Sequence, residues 1–227
     1  MLALAYIIVA VSAYFLGSIP TGYLFARTKG IDIRAVGSGN IGATNAMRVL
    51  GKPAGIAVLL LDTLKGYAAC AFLPPLIYNR FAPHLSGLIV YFHDEPMELQ
   101  TRLYLLAGIF AVLGHNYTCW LKFKGGKGIA TTGGVYLALA PVAVLIALLA
   151  FLLMLWLTRY VSVGSITAAV MLPAATWALA PRNVLLGSVT TALGLMAIYK
   201  HRSNIKRLRA GTENRLGRKP EIQEGTK

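Results

Sequence analysis

The sequence predicts an all-α integral membrane protein with seven transmembrane helices, its N-terminus outside and its C-terminus cytoplasmic. Three observations predict this. Hydrophobic residues fill 56% of the 227 positions and charged residues only 13%, whereas a soluble domain carries about a quarter charged. The apolar residues fall in nearly uncharged runs, and crossing a bilayer takes roughly 20 residues. The 22 Lys and Arg, against 8 Asp and Glu, lie mostly between or after those runs, as cytoplasmic loop charges do. An ordinary soluble enzyme and a disordered chain are excluded. The net charge of +14 is explained by membrane orientation, so no nucleic-acid partner is expected. Cys70 and Cys119 lie in apolar stretches and form no CxxC, which supports neither a disulfide framework nor a zinc site.

The first run, Met1 to Ala26, is uncharged and is followed by Arg27. A signal peptide places its basic residues before the apolar core, so this run reads as a retained helix. The second run is Pro53 to Leu76, interrupted by Asp62 and Lys65, which read as a mutually neutralising structural pair. The third is Leu103 to Leu121. Ile129 to Thr158 then gives 30 uncharged residues, a helix of about 45 Å and too long for one untilted span. Pro141 breaks it into a short helix, Ile129 to Ala140, and a full one, Val142 to Leu157. Tyr160 to Pro181 and Asn183 to Tyr199 complete the seven. Six spans would leave the nine basic residues from Lys200 onward outside; seven put 18 basic residues on the cytoplasmic side. The outer segment 79–102 carries His84, His93, Asp94, Glu95 and Glu98. It reads as a solvated loop, because zinc-ligand spacing is lacking. Residues 1–213 read as one transmembrane domain and 214–227 as a basic, disordered cytoplasmic tail.

Three cytoplasmic segments share one chemistry. The first, Val36 to Arg48, matches GxGxxG at Gly37, Gly39 and Gly42, but no strand precedes it, so a dinucleotide fold is rejected. Glycines still let backbone N–H groups converge on an anion. Ser38, Asn40, Thr44 and Asn45 add neutral donors, and Arg48 is a bidentate phosphate ligand. The second holds His115 and then Lys124, Gly125, Gly126, Lys127 and Gly128. It is no Walker A, since no Ser or Thr follows Lys127, yet glycines and lysines before a helix suit a phosphate. The third places His201 and Asn204 three apart, on one face of a helix continuing the last span. Ser162 and Ser165 lie at the cytoplasmic end of the sixth span.

GSGNIGATNAMR, GHNYTCWLKFKGGKG, RYVSVGSIT and HRSNIKRLRAGTE occur in that order. In these segments the chain resembles the bacterial membrane-integral, acyl-phosphate-dependent glycerol-3-phosphate acyltransferases, over residues 10–213. The resemblance implies seven helices and a cytoplasmic active site in the bacterial inner membrane. It implies transfer of an acyl group from acyl phosphate to glycerol 3-phosphate, giving lysophosphatidic acid and phosphate, at the start of phospholipid synthesis. It assigns activity and substrate contact to Ser38, Arg48, Lys127, Ser165, His201 and Asn204. It makes Gly125 to Gly128 the glycerol-phosphate-binding element and Glu213 structural. The outer segment and the basic tail are longer than the family core needs.

The residues fit that chemistry. An acyl phosphate has a good leaving group, so the protein need mainly hold two anions together and stabilise developing charge. No histidine is followed five residues on by Asp, which excludes an HxxxxD acyltransferase, and no GxSxG elbow occurs. Direct transfer is expected, with either the donor's own phosphate or His201 taking the hydroxyl proton. Neither a cofactor nor a metal is expected. The expected partners are acyl phosphate, glycerol 3-phosphate and the lipid bilayer, with the protein a monomer. An organic-phosphate transporter is the rival reading, weakened because no inverted repeat is visible and the anion ligands lie on one face.

Overall fold

The structure, a computed structural model, describes residues 2–91 and 96–217, for the backbone alone at 82–91 and 96–98. Among these residues every regular element is helical. The first run forms α1 (Leu2–Ser18) and α2 (Thr21–Arg27), separated at Ile19 and Pro20. A loop leads to the short α3 (Ala43–Leu50), then α4 (Lys52–Tyr91) and α5 (Pro96–Asn116). A 3-10 turn at Cys119–Leu121 and a glycine-rich loop precede α6 (Ile129–Leu139). The remaining helices are α7 (Pro141–Thr158), α8 (Val161–Leu179), α9 (Val184–Lys200) and α10 (Arg202–Arg209).

Helices stand at all seven expected span positions. The split at Pro141 is present: Ala140 leaves helical geometry, and Pro141 opens α7 where its missing N–H costs nothing. By length and apolarity, four stretches among the described residues can cross a membrane: Leu2–Arg27, Lys52–Phe81, α7 and α8. The pair α9 and α10, bent by 52°, adds a fifth. The 11 residues of α6 reach only about 16 Å, half a hydrocarbon core. Two expectations are corrected. Residues 79–91 and 96–102 are helical extensions of α4 and α5 rather than loop. The last span does not continue straight through His201 and Asn204, because the chain bends at His201. Residues 92–95 and 218–227 and the side chains of His84 and Glu98 lie outside the described parts, and with them the reading of this segment as metal-free and of the tail as disordered.

The packing is that of a bundle in lipid. Leucines and aromatics point outward, among them Leu148, Leu149, Leu152, Leu153 and Trp156 of α7. Small residues make the interior contacts, where they let backbones approach closely. A Cβ on Gly17 of α1 would stand 2.0 Å from the Ala111 carbonyl oxygen of α5. On Gly134 of α6 it would stand 1.9 Å from that of Thr63 in α4. These crossings tie α1 to α5 and α4 to α6, and so fix the loops that follow them.

Candidate active site

The loop before α3 is organised by Asn45, which is fully enclosed. Its Nδ2 donates to the carbonyls of Ile33, Val36 and Asn40 at 3.2, 3.1 and 2.9 Å. Its Oδ1 accepts from the Ser38 N–H at 2.9 Å. Gly37 and Gly39 have φ of +63° and +69°, a left-handed backbone that suits glycine. A Cβ on Gly37 would lie 2.3 Å from Asn45 Oδ1. These three residues thus shape the loop, and Gly37 and Gly39 do not face the pocket described below. Asn40 accepts from the Gly42 N–H at 2.8 Å, where Gly42 starts α3. The N–H groups of Ala43 and Thr44, in the first turn of α3, have no partner within the helix.

The second segment carries the same division of labour. Gly125 and Gly126 fold back on His115, their N–H groups bonding the Asn116 and His115 carbonyls at 3.2 and 3.0 Å. A Cβ on Gly125 would meet the His115 oxygen at 2.1 Å, and one on Gly126 the His115 ring at 2.1 Å. Both lie outside the pocket; their smallness seats the loop so that Lys127 enters it. Lys124 and Gly125 instead edge a separate surface hollow with Asp32 and Arg34. Gly128, with φ +82°, starts α6 and does line the pocket.

That pocket is a cavity of about 160 Å³. It gathers Ser38, Asn40, Gly42, Thr44, Asn45 and Arg48 from the first segment, and His115, Lys127 and Gly128 from the second. Ser162 and Ser165 reach it from α8, and His201, Asn204, Arg207, Glu213 and Asn214 from the third segment. Lys127 Nζ donates to Asn204 Oδ1. Asn204 Nδ2 donates to Glu213 at 2.7 Å, and Arg207 Nε donates to its other oxygen at 2.7 Å. Burial pushes the Glu213 carboxyl up, but these two donors outweigh it and hold it below the usual carboxylate range. Burial, then the neighbouring Arg207, bring Lys127 down to about 8. His201 Nδ1 lies 2.8 Å from the Ala197 carbonyl, which can only accept. Nδ1 therefore carries the proton, which leaves Nε2 as an acceptor in the neutral ring.

Beneath the cations, Asp62 and Lys65 form the expected buried pair at 2.8 Å. Asp62 also accepts from Thr21, and His115 Nδ1 stands 3.6 Å away. Lys65 Nζ turns to the Ile19 carbonyl at 2.8 Å, away from the pocket. Leu59, Ile129, Phe151 and Val161 make an apolar flank. Sequence reasoning missed Arg207, Asn214 and Thr21. Arg207 was signalled, since it stands three residues beyond Asn204 on the same helical face. Asn214 and Thr21 carried no signal, because their placement depends on how distant segments meet. Among the described residues, no three His, Cys, Asp or Glu side chains gather as a metal site.

A cation-rich pocket set into apolar helices beside an apolar flank fits a membrane-integral protein and suits an anionic ligand. The comparisons make this specific. The profile of the "Glycerol-3-phosphate acyltransferase" family matches residues 7–211. The glycerol-3-phosphate acyltransferase of Geobacter sulfurreducens is 46% identical, covering 92% of this chain and 97% of its own. That of Geobacter metallireducens is 49% identical over the same shares. The crystal structure of PlsY (YgiH), an integral membrane glycerol 3-phosphate acyltransferase in its glycerol 3-phosphate form, superposes with a TM-score of 0.78. Identity there is 36%, with 93% of this chain and 96% of that chain covered. The chain belongs to the glycerol-3-phosphate acyltransferase family; it is a bacterial membrane-integral acyltransferase. The transporter reading finds no support.

Proposed function

We propose that the protein transfers a fatty acyl group from acyl phosphate to glycerol 3-phosphate, releasing lysophosphatidic acid and phosphate, as the first step of phospholipid synthesis. The observation that carries this reading is the convergence of Arg48, Lys127 and Arg207 with Ser38, Ser165, His201 and Asn204 on one pocket with an apolar flank. Family membership supports the acceptor, since related PlsY has been crystallised in a glycerol 3-phosphate form and a lysophosphatidic acid form.

In this reading Arg48 and Lys127 hold phosphate oxygens, aided by the free N–H groups that start α3. Ser38 and Ser165 donate hydrogen bonds to the reacting carbonyl and phosphate. His201 and Asn204 orient the acceptor, whose primary hydroxyl attacks the acyl carbon. The bond between the acyl carbon and the bridging oxygen of the mixed anhydride breaks, and the departing phosphate keeps that oxygen and takes the hydroxyl proton. Asp62, Lys65 and Glu213 stay structural, while Gly37, Gly39, Gly125 and Gly126 serve by shaping the loops. The acyl chain runs along the apolar flank into the bilayer.

The chain forms one domain over residues 1–213, crosses the membrane seven times with its N-terminus outside, opens its pocket to the cytoplasm and works as a monomer. The charge distribution supports this orientation. Donor competition tests the reaction. Purified protein is given labelled glycerol 3-phosphate with palmitoyl phosphate or palmitoyl-CoA. Lysophosphatidic acid from the phosphate donor alone is expected; equal product from the thioester contradicts the donor assignment.

A further inference from the structure

The residues after α10 do not simply leave the protein. Gly211, with φ +70°, reverses the chain, and the Thr212 N–H caps α10 by bonding the Arg207 carbonyl at 2.9 Å. Glu213 then drops into the pocket onto Asn204 and Arg207. Asn214, an exposed residue, follows on the pocket wall, and among the described residues its side chain has no hydrogen-bond partner. The chain next crosses to the start of α8. Arg215 Nε donates to the Tyr160 hydroxyl at 2.9 Å and its guanidinium stands 5.1 Å from that ring's centre. The Leu216 N–H donates to the Arg159 carbonyl at 2.8 Å, and Arg159 is itself in a left-handed conformation, φ +60°.

The two ends of this crossing are held differently. The inner end is a carboxylate with two charge-assisted or polar donors, largely out of water. The outer end is an exposed Arg–Tyr contact and one backbone hydrogen bond, which open far more readily. The family profile stops at residue 211, so the crossing lies beyond it.

We propose that residues 212–216 are a strap that closes over the anion pocket, hinged at Gly211, pinned at Glu213 and latched at Arg159 and Tyr160. In the closed position Asn214 is a further acceptor-binding residue that donates its amide to the bound phosphate ester. The proposal rests on reading the pocket as the glycerol 3-phosphate site.

Steady-state kinetics on the full chain test it. Asn214→Asp places a second carboxylate beside the phosphate and removes a donor, and Arg215→Ala/Leu216→Pro releases the latch. Each is expected to raise the KM for glycerol 3-phosphate about tenfold, the loss of one hydrogen bond to a charged ligand. The KM for palmitoyl phosphate stays unchanged, a split that general misfolding does not produce. An unaltered acceptor KM in Asn214→Asp overturns the proposal. Hydrogen–deuterium exchange over 212–217 separates this from the proposed reaction. Inorganic phosphate is expected to slow exchange in the wild type and not in Asn214→Asp, whether or not the wild type turns over. Exchange indifferent to phosphate in both proteins overturns the strap, whereas a wild type inactive on these substrates overturns the reaction alone.

Discussion

Lys127 is the residue on which the pocket's electrostatics turn. Its amine, brought down to about 8, is charged below that pH and neutral above it. A phosphate monoester carries its second charge above about 6. Charge complementarity is therefore complete between those values and is lost on the alkaline side. The acceptor KM is expected to hold steady up to about pH 8 and climb beyond it, while Lys127→Arg, charged throughout, shows no alkaline limb. A wild-type KM that stays flat well above that pH contradicts the assignment. His201→Gln separates base from orienting group. With the donor's phosphate taking the proton, kcat falls by less than about tenfold; a loss of roughly 10²–10⁴ with acceptor binding intact makes His201 the base instead. At this scale the sequence shows which segments meet at the pocket better than it shows how each residue is used there. Gly125 and Gly126 read as a phosphate cradle, yet their smallness serves the close approach of His115. Asn45 read as a ligand and is wholly occupied with its own loop. In both cases the partner is a backbone carbonyl or a ring whose position no residue spacing discloses.

The helices carry a sharper test of packing. At the α4–α6 crossing Gly134 leaves no room for a Cβ, while the neighbouring Gly133 has open space. Gly134→Val is expected to abolish the folded, monodisperse protein in detergent, because the Thr63 backbone cannot yield; Gly133→Ala is tolerated. Equal yields from both variants show that this crossing does not hold the bundle. Uncharged runs and Pro141 made the elements and the α6–α7 break readable, since each is a local signal. The 52° bend at His201 was not readable. No Gly or Pro marks it; the bend places Asn204 between Lys127 and Glu213, a demand that arises only in three dimensions. The extension of α4 to Tyr91 was missed for a related reason: lower apolarity past Leu76 ends a membrane signal but not a helix.

For the molecule as a whole, the charge distribution predicts an orientation that labelling can test. In a background with Cys70 and Cys119 replaced, single cysteines at Ala140 and Arg182 are expected to label with an impermeant maleimide in intact cells. A cysteine at the exposed Lys29 labels only after permeabilisation. Labelling at Lys29 in intact cells reverses the topology. The central claim is narrower: one basic pocket joins an acyl phosphate to glycerol 3-phosphate. Purified protein in lipid, given palmitoyl phosphate and glycerol 3-phosphate, is expected to release phosphate and form lysophosphatidic acid in equal amounts, with Lys127→Ala inactive in both readouts. Phosphate release without lysophosphatidic acid, or a Lys127→Ala variant as active as the wild type, contradicts it.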